Sequence, residues 1–245
     1  MEKPRLIVAL TSAIAGPLTA ELVGARAQRL VMPASLQDSL YALKKADALL
    51  VNLGSLCEER AMIMKETVLQ ANKLGKPWIL DPVGAGGSQW RTHWAEAFMR
   101  LGPALIKGNS AEIIALSGGQ AKLQGIDSLN DSQEAEQAAS QLSQDLQSTI
   151  WVTGRLDIIT SANRAETSLV RIKGGDQKMT RLVSLGCAIG ALGAVAICDD
   201  LSKDEQQGSA LVQLAQDIKN AGQSAAKQSF GLASFRSSLI DALSL

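Results

Sequence analysis

A chain of 245 residues with 24 lysines and arginines against 24 aspartates and glutamates carries no bulk charge, so nothing long-range draws it to nucleic acid or to an anionic membrane surface. Aromatic residues make up only 3%, which demands an aliphatic core and argues against a stacking surface for single-stranded nucleic acid. Cys57, Cys187 and Cys198 are an odd set without CxxC or Cys/His spacing; this argues against a disulfide framework and structural zinc, and fits a reducing cytoplasm.

Lys3 and Arg5 precede an apolar stretch, Leu6 to Ala15, that loosely mimics a secretory signal. Glu2 and Pro4 are poor for its charged region, Thr11 and Ser12 interrupt it, and Leu6 to Leu10 serves as a first buried strand. Ala48 to Leu53 reads as the next strand, followed by a helix over Glu58 to Leu74 that Gly75-Lys76-Pro77 stops. Strands over Trp78 to Val83, Ala104 to Ile106 and Thr149 to Val152 alternate with helices over Gln89 to Leu101, Ala111 to Leu116 and Ser132 to Leu146. Between Asp157 and Ile172 two β-like runs flank Ser161-Ala162-Asn163-Arg164, which predicts a hairpin and an antiparallel edge. The chain turns helical again after Gly174-Gly175. Cys187 to Ile197 reads as a buried helix, too short to span a membrane, whose Ala188, Gly190, Ala191, Gly193 and Ala194 permit close backbone approach. Ser209 to Lys227 alternates polar and apolar residues. Short β-rich runs between longer amphipathic stretches predict βαβ units around a mostly parallel sheet, in one α/β domain over 1–245.

Two segments carry the chemistry: Asp81-Pro82-Val83-Gly84-Ala85-Gly86-Gly87 and Lys107-Gly108-Asn109-Ser110-Ala111-Glu112. Each puts a carboxylate close to the carboxyl end of a predicted strand, where an open parallel sheet forms its binding crevice. A carboxylate pair there suits a magnesium-bound polyphosphate, and hence a small-molecule kinase. Read singly, Asp81 is also a turn residue before Pro82, Glu112 a first-turn helix acid, and Lys107 a solvated lysine. Cys187 follows Ser184-Leu185-Gly186 and opens the apolar helix, where outward-pointing amides favour an anion; packing is its other reading. Cys57 and Cys198 read as packing residues, and His93 as no catalytic group.

Asn52-Leu53-Gly54-Ser55-Leu56, Leu80-Asp81-Pro82-Val83-Gly84-Ala85-Gly86, Gly108-Asn109-Ser110-Ala111-Glu112-Ile113, Val152-Thr153-Gly154 and Gly186-Cys187 resemble, in order and spacing, the hydroxyethylthiazole kinase family. Gly231 to Phe235 and Leu239 to Leu243 resemble that family's closing motifs, so the likeness runs over essentially the whole chain. The resemblance implies a ribokinase-like three-layer α/β/α fold and ATP- and magnesium-dependent phosphorylation of the hydroxyethyl group of 4-methyl-5-(2-hydroxyethyl)thiazole, a salvage step toward thiamine. It implies a homotrimer with active sites between subunits. By the same resemblance Asp81 and Glu112 hold magnesium, Lys107, Asn109, Thr153 and Gly186 contact ATP, Ser12, Gly54, Ser55 and Val83 line the substrate site, and Cys187 is the general base.

The chain departs from the family pattern in several places, among them a helix after Thr11-Ser12 that is about three residues shorter. Lys107 stands for an arginine, Thr11-Ser12 for Thr-Asn, Arg155 for a glutamate, and Leu182-Val183-Ser184-Leu185-Gly186-Cys187 for Val-Thr-Gly-Thr-Gly-Cys. If the replaced glycine is left-handed, Ser184 incurs strain of about 1 kcal/mol. Beside a working thiazole kinase, two readings stay open: a kinase for another small alcohol such as a hydroxymethylpyrimidine, and a catalytically impaired paralogue that binds ligand or partner subunits.

Overall fold

A computed structural model describes residues 3–119, 129–162, 167–203 and 209–244. In chain order the elements are β1 (Leu6–Leu10), α1 (Gly16–Ala25), β2 (Arg29–Val31), α2 (Leu36–Lys45), β3 (Ala48–Asn52), α3 (Glu58–Lys73), β4 (Trp78–Asp81), α4 (Gln89–Met99), β5 (Leu105–Asn109) and α5 (Ser110–Leu116). They continue with α6 (Leu129–Leu146), β6 (Thr149–Thr153), β7 (Leu156–Ala162), β8 (Thr167–Lys173), α7 (Lys178–Arg181), α8 (Leu185–Lys203), α9 (Ser209–Gln228) and α10 (Leu232–Leu243). The described strands form one sheet in the order β2-β1-β3-β4-β5-β6-β7-β8. Pairing is parallel from β2 to β6 and antiparallel across β6-β7-β8, so the expected hairpin is present. Of its expected turn, Asn163 and Arg164 lie outside the described residues.

Successive side chains of a strand point to opposite faces, and the apolar runs therefore feed two cores at once. Ile7, Ala9, Ala48 and Leu50 face α1, α8, α9 and α10; Val8, Leu10, Leu49 and Val51 face α2 to α6. This makes three layers, helices over sheet over helices. On the first face, α8 lies close against the strands because glycines meet them. A Cβ at Gly190 would stand 3.1 Å from Leu50 Cδ1, and one at Gly193 would stand 3.2 Å from Leu105 Cδ2. Close seating brings the amino end of α8 over the carboxyl ends of β4 and β5. No described helix is long and apolar enough to cross a membrane.

Two strands end earlier than their apolar runs predict: β3 stops at Asn52 and β4 at Asp81. Beyond them the backbone turns away from the sheet, with Ser55 at φ +51° and Gly84 at φ +84°. α1, β2, α2 and α10 add to the elements expected from the sequence.

Candidate active site

Parallel register sets which residues meet at the strand ends: Asn52 lies beside Asp81, and Asn109 beside Thr153. Asp81 is 1% exposed. Its Oδ2 accepts a 2.6 Å hydrogen bond from Asn52 Nδ2 and lies 3.4 Å from Lys107 Nζ. Its Oδ1 is buried with no hydrogen-bond partner among the described residues. Asn52 Oδ1 in turn accepts the Gly54 amide at 2.9 Å, so one buried carboxamide ties the β4 carboxylate to the loop after β3. A Cβ at position 54 would stand 2.8 Å from that Oδ1, which requires glycine or a shift of Asn52.

Glu112 sits in the first turn of α5 within a reciprocal cap: Asn109 Oδ1 accepts Glu112 N at 2.9 Å, and Glu112 Oε2 accepts Asn109 N at 2.8 Å. Its Oε1 accepts the Gly84 amide at 3.0 Å, drawing the loop after β4 onto α5. Glu112 thus serves as a helix acid and as an electrostatic neighbour of Asp81 at once. Lys107, on β5, is 3% exposed rather than solvated. Besides facing Asp81 it donates to the Gly186 carbonyl at 2.8 Å, under the start of α8.

Burial pushes the Asp81 carboxyl up, against the pull of the Lys107 charge and the Asn52 hydrogen bond. Glu112 is raised by burial and then by the Asp81 charge, against Lys107 and its two backbone donors. Burial works against the Lys107 ammonium, yet Asp81 and Glu112 hold it above its ordinary value. Two carboxylates around one ammonium leave this pocket short of positive charge. Cys187, half-buried in the first turn of α8, has its thiol raised by burial and then by Asp81, while Asn52 and Lys107 oppose the shift. Directly before α8, Ser184 adopts φ +70° and its carbonyl accepts Ala188 N at 2.9 Å. Leu185, which follows it, is 4% exposed and belongs to the apolar core on the α8 face of the sheet.

Asp81, Glu112, Lys107, Gly186 and Cys187 therefore converge. Thr153 is beside them, its hydroxyl 3.3 Å from the Gly108 carbonyl, while Asn109 Oδ1 is engaged by the cap. Ser12 and Gly54 form a neighbouring group: Ser12 is buried, accepts Ala15 N at 3.2 Å, and has Cβ and Oγ 3.6 Å from a Cβ built at Gly54. Ser55 is exposed and left-handed, and Val83 is half-buried with its carbonyl 3.1 Å from Arg91. Sequence reasoning missed Asn52 as a hub and Arg91 altogether. An amide closing the apolar run Ala48 to Val51 was the readable signal for the first; the second shows only a cation against the dipole in the first turn of α4, which does not point to its acceptors. A cavity of about 400 Å³ lined by Asp176, Gln223, Ala226 and Lys227 shares no residue with this cluster.

The sequence profile of the hydroxyethylthiazole kinase family matches residues 1–245. A hydroxyethylthiazole kinase of Serratia proteamaculans is 37% identical over 238 residues, 97% of this chain and 87% of that protein. The solved hydroxyethylthiazole kinase protein of Pyrococcus horikoshii superposes with a TM-score of 0.85 at 26% identity, covering 98% of this chain and 87% of that one. A ribokinase-like superfamily protein of Enterococcus faecalis, at 13% identity and TM-score 0.67 over 98% of this chain and 86% of its own, shares the fold.

Proposed function

The chain belongs to the hydroxyethylthiazole kinase family, and on that premise we propose that Asp81, Glu112, Asn52, Lys107 and Cys187, gathered at the amino end of α8, form the site of phosphoryl transfer. The protein is a kinase acting on an alcohol, with the ribokinase-like fold; its reaction phosphorylates the hydroxyethyl group of 4-methyl-5-(2-hydroxyethyl)thiazole, in thiamine salvage, with ATP as co-substrate. The observation that carries the site is the convergence of two raised carboxylates and a helix-opening thiol on one buried lysine.

In the reaction the substrate oxygen bonds to the γ-phosphorus, the bond from that phosphorus to the β-bridging oxygen breaks, ADP departs, and the hydroxyl proton goes to the Cys187 thiolate, the form that burial and Asp81 disfavour and that Asn52 and Lys107 favour. Amides opening α8 face the phosphate charge, where the helix dipole adds to their donation. Gly186, Asn109 and Thr153 border that region, and Ser12, Gly54, Ser55 and Val83 border the alcohol. The donor set fits magnesium: Asp81 Oδ1 is buried without a hydrogen-bond partner among the described residues, and the single Lys107 ammonium faces two carboxylates. Asp81 and Glu112 would hold the ion, directly or through water, as magnesium takes few carboxylates and otherwise water and phosphate oxygens. Bound there, it supplies charge neutralisation to the transferring phosphoryl group.

The assembly we propose is a homotrimer in which a neighbouring copy covers the Ser12 side. Ile14 is 68% and Met32 43% exposed there, and the Met32 thioether lies 3.6 Å from a Cβ built at Gly16. Nearby, Arg60 donates to the Thr11 carbonyl at 2.8 Å while Arg60 Nε and Thr11 Oγ1 are buried without partners among the described residues. Three free thiols support a cytoplasmic location. Turnover of the thiazole alcohol and of hydroxymethylpyrimidine, each with ATP and magnesium, tests the reaction. A preference for the pyrimidine, or no turnover of either, would overturn the substrate. Light scattering that returns a monomer at micromolar concentration would remove the trimer.

A further inference from the structure

We propose that Arg91 is a positioning residue of this site, orienting two peptide planes that hold Asn52 and Glu112, and this rests on the kinase reading above. Regular pairing of β3 with β4 ends at Asn52 and Asp81, with one further bond from Leu53 N to the Asp81 carbonyl. Past that point a single nitrogen of Arg91 joins the two departing loops, donating to the Leu53 carbonyl at 2.8 Å and to the Val83 carbonyl at 3.1 Å.

The two acceptors are not arbitrary backbone. A peptide unit is planar, so fixing its carbonyl fixes the direction of the N–H on the next residue. The plane that carries the Leu53 carbonyl carries the Gly54 amide, which donates to Asn52 Oδ1; Asn52 then donates to Asp81. The plane that carries the Val83 carbonyl carries the Gly84 amide, which donates to Glu112 Oε1. One guanidinium therefore sets, through two rigid planes, the hydrogen bonds that orient both carboxylate assemblies.

Two further features fit this role. The Arg91 chain lies across Gly84: a Cβ there would stand 2.7 Å from Arg91 Cδ, in addition to the left-handed φ of +84°. Arg91 also occupies the first turn of α4, its own amide given to the Ser88 cap at 3.2 Å, where the helix dipole disfavours a cation. Helix propensity tolerates arginine here as it would several other residues, and the dipole disfavours it. The two carbonyls give the reason for it.

The experiment uses the full chain as Arg91→Ala and Arg91→Lys, with hydrogen exchange of the ligand-free protein read at Gly54 and Gly84 and steady-state kinetics alongside. In Arg91→Ala both amides exchange about 10-fold faster or more while those of β1 hold their rate, as expected when local opening near a lost bond becomes cheaper. The kcat/KM for the alcohol falls on the order of 10- to 100-fold, the range for a hydrogen-bonding partner with a charge, while the KM for ATP stays within about twofold. Because both bonds leave from one nitrogen, Arg91→Lys recovers part of each effect, and guanidinium added to Arg91→Ala does the same. If Arg91→Ala fails to fold, Arg91→Lys decides by the same two readouts. Exchange at both amides within about twofold of the unmodified protein, in a folded variant, overturns the proposal. So does a fall in kcat/KM without faster exchange, since that would put the guanidinium on substrate. Should the unmodified protein turn over no alcohol, the reaction assignment fails, and the exchange measurement still decides the role of Arg91.

Discussion

Replacing Ser184 with glycine should make this protein more stable. Ser184 holds φ +70° immediately before α8, in the region where a side chain crowds the neighbouring carbonyl. A non-glycine residue there costs roughly 1–2 kcal/mol, and glycine removes that cost while adding about 0.4–1 kcal/mol of unfolded-state freedom. The balance is a net gain of about 0–1.6 kcal/mol, at most roughly 3–6 °C in Tm for a chain of this size. The carbonyl that starts α8 by accepting Ala188 N belongs to the backbone and survives the change. Leu185 provides the opposing case. Position 185 is where the family pattern has a threonine, but Leu185 is 4% exposed within the core on the α8 face. Leu185→Thr empties part of that core and buries a hydroxyl, an expected loss of about 2–4 kcal/mol and roughly 5–15 °C. Restoring the family loop is therefore stabilising at one residue and destabilising at the next. Differential scanning calorimetry of the two single variants checks both signs; a lower Tm for Ser184→Gly, or an unchanged one for Leu185→Thr, would refute the reasoning.

Asp81→Ala and Glu112→Ala should each lower turnover more than Cys187→Ala, because charge stabilisation outweighs the base in a loose transition state; single-turnover rates give the ranking, with a loss of roughly 100- to 10,000-fold as the ceiling for the cysteine. Full activity in Cys187→Ala would remove its role as base. Cys198 is pushed up to about 12, chiefly by burial, and its neutral thiol is the form the fold prefers. Its contribution is complete below the ordinary thiol range near 9.0 and is lost as pH rises toward 12, so urea melts at pH 8 and at about pH 10.5 should show the stability advantage over Cys198→Ala shrinking. Gly190→Val should cost about 1–3 kcal/mol by overpacking, since even a Cβ there meets Leu50 Cδ1 at 3.1 Å; an unchanged melt would mean that α8 can slide on the sheet.

What the sequence reveals here follows from the range of the interactions concerned. β1 is readable to the residue because an apolar run bounded by polar residues is a local signal, and β7–β8 because two β-rich runs share one turn region. The capping pair Asn109 and Glu112 is equally local, three residues apart on one helix. α1 leaves no such trace: it opens on Gly16-Pro17, and its buried Leu18, Thr19, Leu22 and Val23 sit among other apolar residues, so no polar stripe marks its period. β2 has three residues at the sheet edge, too few to show alternation. α2 does carry a local signal, since Ser35 caps it and its apolar residues fall on one face.

The same distinction separates the parts of the candidate site. Carboxylates beside glycine turns stand out in the sequence because turn chemistry and acid lie within a few residues. Lys107 gives no local sign of being buried: its partners, Asp81 and the Gly186 carbonyl, are 26 and 79 positions away. Arg91 is harder still, because both of its acceptors are backbone carbonyls and any residue type could supply them. A side chain whose partners are peptide groups has no complementary residue to be recognised by, so its role can be read only once the sheet has put those peptides within reach. This is why the acidic residues are found from the pattern alone, whereas the groups that orient them emerge from the fold.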